Sequence, residues 1–135
     1  MNLSLTEEQL LIKSSAEKFF LEKFPFENRL KLINSEKTIS DTITNASIEY
    51  GWTSLPFKEK YGGLEGSVTD IMTLIEVFGS YLSIDPYIFY LLMPGKVLEE
   101  MCDEDKKNNY LNKLISGKIK ISFCFAEPGQ RYNHV

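Results

Sequence analysis

The stretch SVTDIMTLIEVFGSYL, residues 67–82, carries the clearest helical signal in the chain. Ser67 is a residue type that caps helix starts, and Asp70 stands three positions later, where a carboxylate reaches the first turn. The apolar residues that follow recur at steps of three and four, which places them on one helical face. They are Ile71, Leu74, Ile75, Phe78 and Leu82.

Segments on both sides of this stretch repeat the same pattern. Upstream, Thr6 and Gln9 form a capping box that predicts a first helix, which ends near Pro25. The spacing of apolar residues predicts further helices, and Pro94 and Gly95 are expected to divide one of them from the next. These helices cover residues 26–33, 40–50, 87–93, 96–102 and 103–117.

The segment YGGLEG, residues 61–66, raises two alternatives. A phosphate cradle would need a Gly-Lys-Ser/Thr ending or a strand before the glycines, and the sequence has neither. Adjacent glycines also permit positive φ angles that side chains disfavour. The segment therefore predicts a tight structural turn between two helices.

The composition is that of an ordinary globular domain: 135 residues, 43% hydrophobic, with a net charge of −4. One domain is expected at this length. An acidic chain disfavours nucleic acid as a partner, because such binding depends on clustered cations. Cys102, Cys124 and His134 have no metal-ligand spacing. We expect a cytoplasmic protein, because the sequence contains neither a leader-like segment nor an apolar run long enough to span a membrane.

Several side chains have the chemistry of catalytic or binding groups. The carboxylates Glu76, Glu99 and Glu100 are expected on solvated helix faces, and His134 lacks the partners of a catalytic triad. The aromatic segment 87–93 is compatible with either core packing or an apolar ligand cavity. Its two close tyrosine hydroxyls need hydrogen-bond partners, which favours a cavity edge.

The pattern changes after Gly117. Residues 118–123 alternate polar and apolar side chains, which predicts a half-buried strand. The sequence FCFAEPG, residues 123–129, continues from it.

Taken in order, these features resemble the N-terminal part of an acyl-CoA dehydrogenase. The motifs are TEEQ (6–9), GW (51–52), YGG (61–63), YLNKLISG (110–117) and FCFAEPG (123–129). The resemblance implies an all-α domain at 1–117, followed at 118–135 by the opening strand of a middle β domain. The ending AEPGQRY (126–132) looks similar to the small-subunit branch of pimeloyl-CoA dehydrogenases.

The resemblance also implies site residues. In the family a Tyr-x-x-Thr-Glu-Pro motif faces the flavin ring of FAD, and Phe123, Phe125 and Ala126 occupy that segment here. Ala126 replaces the threonine and removes a hydrogen-bond donor that would tune the flavin. Helical residues Tyr87, Tyr90 and Leu91 are expected at the acyl-CoA pocket. The family's catalytic glutamate belongs to a C-terminal domain, so no catalytic residue is assigned.

Two functional hypotheses follow from the resemblance. In the first, the chain is the N-terminal domain of an FAD-dependent enzyme that oxidises acyl-CoA thioesters at the α and β carbons, and it is inactive alone. In the second, it is a non-catalytic helical subunit that completes or stabilises a related dehydrogenase chain. Both imply a homo-oligomer or a hetero-oligomer, and Ala126 favours the second.

Overall fold

A computed structural model of the protein describes residues 4–35, 40–122 and 124. Within these residues the secondary structure is helical and contains no strand, so the expected all-α fold class is confirmed. A 3-10 turn lies at Glu59–Tyr61, and a π-helical turn lies at Ile88–Leu92. No helix in the described ranges is long and apolar enough to cross a membrane. The α-helices are α1 Glu7–Glu22, α2 Phe26–Ile33, α3 Asp41–Glu49, α4 Val68–Ser80, α5 Met93–Met101 and α6 Glu104–Ile115.

Helices α1 and α4 both begin with a capping box, and the two caps are joined. The N–H of Gln9 donates to Thr6 Oγ1 at 3.2 Å, and the N–H of Thr6 donates to Gln9 Oε1 at 3.0 Å. Ser67 and Asp70 exchange the same pair of bonds. The Gln9 amide also donates to the Asp70 carboxylate at 2.9 Å. Burial acts to raise the pKa of Asp70, but hydrogen bonds from Gln9 and Ser67 outweigh it and hold the pKa below its usual value.

The core is organised around Phe78 of α4. Its ring packs edge to face against Phe20, Trp52 and Tyr87, with ring centroids 5.5, 5.4 and 5.5 Å away. Each such pair adds about 0.5–1.5 kcal/mol beyond the area it buries. The cluster therefore joins elements that are distant in sequence. Other buried apolar residues surround it: Ala16, Phe19, Phe24, Ile43, Ala46, Leu55, Phe57, Tyr61, Ile71, Leu74, Val77, Leu91, Leu111, Leu114 and Ile115.

The Tyr-Gly-Gly turn before α4 is structural, as predicted. Gly62 has a φ of +87°, a conformation that side chains disfavour. A Cβ at Gly63 would lie 1.9 Å from the carbonyl oxygen of Phe57. That oxygen accepts the N–H of Glu65 at 2.8 Å. The glycines thus allow two backbone segments to meet, and they position the start of α4.

The π-helical turn continues into α5 without interruption, so the predicted break at Pro94–Gly95 is wrong. Pro94 has no N–H, and its ring would collide with the Tyr90 carbonyl in a regular α-helix. The preceding turn is widened instead, and the N–H of Met93 donates to the Ile88 carbonyl, five residues back. The wider turn accommodates the proline and keeps the helix intact.

Helix α6 begins and ends where the sequence predicted. Asp103 caps it by accepting the N–H of Lys106 at 2.9 Å, and Gly117 follows its end with a φ of +70°. Lys106 and Lys107 of this helix form ion pairs with Asp103 and Glu104, as expected of a salt-bridged surface. Residues 118–122 and 124 form no strand, because the described part of the chain offers them no strand to pair with. The opening strand and the division at 117/118 stay predictions.

Candidate functional site

One cavity is lined by all three residues that the family resemblance assigned to substrate binding. Tyr87, Tyr90 and Leu91 form part of its wall, and its volume is about 50 Å³. The cavity lies between α3, the turn after α3, the π-helical turn and the end of α6. Its other lining residues are Thr44, Ser47, Ile48, Thr53, Asp85, Pro86, Leu114, Gly117, Ile119 and Lys120. The role of the three residues toward a substrate stays a prediction.

Tyr87 anchors this wall. Its buried hydroxyl donates to the Trp52 carbonyl oxygen at 2.8 Å, which supplies the partner that the sequence required. Burial, and after it the nearby charge of Asp85, raises the pKa of Tyr87 far above its usual range. The phenol therefore stays protonated and acts as a structural donor. Tyr90 and Leu91 follow three and four positions later, on the same side of the helix.

Two residues of the cavity lining carry a buried hydroxyl group that has no hydrogen-bond partner among the described residues. The two groups are Ser47 Oγ in α3 and Thr53 Oγ1 in the turn after it, on residues only 4% and 7% exposed. An unsatisfied buried hydroxyl costs about 1–3 kcal/mol. Sequence reasoning missed both residues. The signal for Ser47 was its place four positions after Ile43, on the buried side of the helix.

Opposite charges also line the cavity. Burial raises the pKa of Asp85, while the positive charge of Lys120 and the N–H of Tyr87 act in the opposite direction. Asp85 is partly buried and Lys120 is exposed. The carboxylate thus interacts favourably with the backbone N–H of Tyr87, at some electrostatic cost from its burial.

Glu99 was expected to be solvated, and that expectation is wrong. Only 1% of its surface is exposed. Its carboxylate accepts the N–H of Lys58 at 2.8 Å and a very short hydrogen bond from the ammonium of Lys96. No local pattern of residues predicts this burial, because the bond to Lys58 depends on how the turn after α3 packs on α5. Glu76 and Glu100 are exposed, as expected.

The predicted flavin-facing residues Phe123, Phe125 and Ala126 lie outside the described residues, as does His134. Among the residues that the structure describes, no group of three or more His, Cys, Asp or Glu side chains is arranged to hold a metal ion.

The family model for the acyl-CoA dehydrogenase N-terminal domain matches residues 6–118. The short-chain specific acyl-CoA dehydrogenase of Clostridium acetobutylicum is 24% identical over 134 residues, which cover 95% of this chain. The match covers 34% of that protein, so the chain spans about a third of the length of this curated relative.

The fold is also similar to a solved structure. A chain in the crystal structure of the ChsE4–ChsE5 complex from Mycobacterium tuberculosis superposes with a TM-score of 0.85 at 17% sequence identity. The superposition covers 96% of this chain and 36% of that one. At this identity the likeness concerns the fold.

Proposed function

This chain belongs to the acyl-CoA dehydrogenase family and matches its N-terminal helical domain. From that membership we propose that it takes part in a flavin-dependent oxidation of acyl-CoA thioesters at the α and β carbons. In this proposal the chain supplies part of the acyl pocket, through Tyr87, Tyr90 and Leu91. The observation that carries the proposal is the family match across residues 6–118. The convergence of the three residues on one cavity supports the substrate role.

The cavity lined by Tyr87, Tyr90 and Leu91 is not large enough to hold a flavin. Its volume of about 50 Å³ is far smaller than the roughly 300–1,000 Å³ typical of pockets for larger organic ligands. The residues that the resemblance assigns to the flavin lie elsewhere, at Phe123, Phe125 and Ala126. FAD, when bound in a complete enzyme, would supply the electron acceptor. We assign this chain a role in binding and positioning.

Two buried ionisable groups, Tyr87 on the cavity lining and Glu99 in α5, support the proposal that the chain is inactive alone. The Tyr87 hydroxyl donates to the Trp52 carbonyl, and the Glu99 carboxylate is held by Lys58 and Lys96. Neither group is available to remove a substrate proton. The resemblance assigns the catalytic glutamate to a C-terminal domain, and these 135 residues match the N-terminal one.

The alternative function is a non-catalytic subunit that completes a related dehydrogenase chain. Two observations favour it: Ala126 stands where the family has threonine, and the similar solved structure is a complex of two differently named chains. In this proposal the assembly is a hetero-oligomer or a homo-oligomer. Its surface combines the apolar residues Ile119, Ile121, Phe123 and Phe125 with the aromatic segment 87–93. A Lys at Phe123 would weaken such an assembly, because the charge would lose its hydration on association.

The first test uses the purified 135-residue chain with FAD, a series of acyl-CoA thioesters and an electron-accepting dye. We expect neither retained flavin nor dye reduction. Stoichiometric flavin or turnover above background would contradict the assignment of a binding role.

A second test separates the two functions. In an assembly that contains the flavin domain, Ala126→Thr should strengthen flavin binding if this chain faces the ring. Unchanged flavin affinity would favour the non-catalytic subunit. Sedimentation velocity of the wild type and Phe123→Lys then measures whether the chain associates through this segment.

A further inference from the structure

Helix α4 carries two apolar stripes, and the first is buried in the core around Phe78. The second stripe is the outer α4 face, whose four members follow one another at steps of four, three and four residues. They therefore lie within about 60° of one another around the helix. Val68 is 73% exposed and Met72 is 63% exposed, so core packing leaves most of this stripe uncovered. The outer α4 face consists of Val68, Met72, Ile75 and Gly79.

An open groove of about 440 Å³ lies against this face. Its lining residues are Leu5, Thr69, Met72, Thr73, Ile75 and Glu76. From Val68 to Gly79 the face is about 16 Å long, at a rise of 1.5 Å per residue. A long and narrow apolar strip of this kind matches a second helix laid along the first, which is a common way in which proteins recognise peptides.

Gly79 adds a separate reason to expect a helix. A Cβ at this position would meet nothing within 4 Å, and its φ is not positive. The other glycines among the described residues either have a positive φ or lie against another segment. Glycine weakens a helix relative to alanine, so the fold of this chain gains nothing from it here. The distance between packed helices depends on the side chains at their contact, and a glycine lets a partner helix approach closely.

The charges around α4 favour a basic partner. From residue 61 to residue 95 the sequence contains four carboxylates, and every lysine and arginine lies outside this range. Glu76 is exposed and lines the groove, and Glu65 is exposed in the turn before α4. Lys13 of α1 lies 3.7 Å from Glu76 and offsets part of this charge. Lysines or arginines that flank the apolar side of a partner helix would complement the remaining negative charge.

A second copy of this chain fits the face less well. It would bring the carboxylates of one α4 towards those of the other, since the sequence of α4 contains no lysine or arginine. Like charges that face each other across an interface lower the affinity. The four-residue face is also much smaller than the roughly 800 Å² per partner that a stable dimer buries. Both arguments favour a single helix from a different chain.

We propose that the outer α4 face docks an amphipathic helix of a partner chain, with basic residues on both sides of the partner's apolar stripe. Met72 is the central contact, because its flexible side chain adapts to the surface that it meets. Gly79 is the point of closest approach. This docking face is formed by other residues than the segments 119–125 and 87–93, and it does not depend on the proposed dehydrogenase function.

The probes are two synthetic peptides of about 18 residues, which is long enough to form a helix. Both carry leucines at steps of four and three and alanines on the far side, with flanking lysines in one and flanking glutamates in the other. Each is titrated into the ¹⁵N-labelled chain, and the amide shifts of Met72, Ile75 and Gly79 are followed. We expect saturable shifts with the lysine peptide and an affinity at least about 10-fold lower for the glutamate peptide. Equal affinities, or shifts centred outside α4, would overturn the proposal.

Substitutions in α4 distinguish close helix packing from general hydrophobic adsorption. In Gly79→Leu the open site accepts the new side chain, but the leucine then stands where the peptide has to approach. We expect it to weaken binding of the lysine peptide by about 10-fold or more, although it adds apolar surface. Met72→Ser should also weaken binding, and Met101→Ser is its matched control, since Met101 is 79% exposed at the end of α5. Unchanged or tighter binding by Gly79→Leu would refute the proposal.

Sedimentation velocity of the chain without peptide tests the competing occupant. A dimer that Gly79→Leu dissociates would identify a second copy on this face and would overturn the assignment of a basic partner. Circular dichroism checks that each variant is folded, and if one is not, the comparison of the two peptides on the wild type still decides the outcome. These measurements involve neither flavin nor acyl-CoA. Their failure would leave the family function intact, and a lack of dehydrogenase activity would leave their result intact.

Discussion

Replacing Glu99 by alanine tests whether a buried carboxylate holds the turn after α3 against α5. In the wild type the carboxylate accepts the Lys58 N–H at 2.8 Å and the Lys96 ammonium. Lys96 also donates to the Pro56 carbonyl oxygen at 2.9 Å, so the turn is tied to the helix at both Pro56 and Lys58. In Glu99→Ala the Lys58 N–H loses its acceptor, and the ammonium loses its counter-ion.

The magnitude follows from these contacts. Removing one partner of a fully buried pair costs about 3–5 kcal/mol. The Lys96 side chain is 41% exposed, so water would hydrate the freed ammonium and reduce that cost. A hydrogen bond to a charged group is worth about 1.5–3 kcal/mol, and the orphaned N–H adds to the loss. We therefore expect Glu99→Ala to lower the free energy of unfolding by about 2–4 kcal/mol, a large part of a typical 5–15 kcal/mol.

Urea denaturation followed by circular dichroism measures this loss. With a slope of about 1–3 kcal/mol per molar urea, the midpoint should fall by on the order of 1–2 M. Glu99→Gln should lie between wild type and Glu99→Ala, because its carbonyl oxygen retains one acceptor. The control is Glu100→Ala, which removes an exposed carboxylate 3.5 Å from Lys58 and should change stability by less than about 0.5 kcal/mol. If Glu99→Ala were as mild as this control, the buried carboxylate would contribute nothing and the reasoning would be wrong.

Three further outcomes are expected. Gly63→Ala should destabilise the fold severely, because its Cβ would lie 1.9 Å from the Phe57 carbonyl oxygen. Gly79→Ala, at an open helical site, should instead stabilise the fold by about 0.5–1 kcal/mol. Thermal unfolding of both variants measures the difference. The folded pKa of Asp85 is raised above its ordinary 3.8, so its favourable contribution is complete below that pH and is lost as the pH rises through the folded pKa. Asp85→Asn keeps an acceptor for the Tyr87 N–H but does not titrate. In chemical denaturation its stability relative to the wild type should therefore increase as the pH rises from about 3.5 to 7. A relative stability that decreases with rising pH would contradict this sign. Tyr87→Phe should cost about 1–3 kcal/mol, since it leaves the buried Trp52 carbonyl without its 2.8 Å donor, and an unchanged melting temperature would count against that role.

Much of the fold was predictable because its signals are local. The capping residues Thr6, Ser67 and Asp103 satisfy amide groups three positions away, so four residues of sequence contain the whole interaction. Gly51 and Gly117 end helices through their own backbone angles. Helix starts, helix ends and apolar faces could therefore be recognised without a tertiary structure.

The prediction of a helix break at Pro94 was wrong, and the reason is also partly local. Proline removes one hydrogen bond and crowds the carbonyl four residues back, so the helix either ends or widens at that turn. In this protein the turn widens, because the continued helix packs against the core. A Cβ at Gly95 would lie 2.3 Å from the ring of Phe57, so α5 approaches that ring closely and gains contact by continuing.

By itself the sequence determined the helical elements, their caps, the structural turn at Gly62 and Gly63, and the family to which the chain belongs. Only the tertiary structure decided the environment of single polar groups. Glu99 and Glu100 are neighbours with the same side chain, yet one is 1% exposed and the other is solvated, because only Glu99 meets the Lys58 backbone from a distant turn. Ser47 and Thr53 likewise line one cavity because α3, its following turn and the π-helical turn pack together. Burial and hydrogen bonding depend on which segments are in contact in the folded chain, and the local spacing of residues does not determine those contacts.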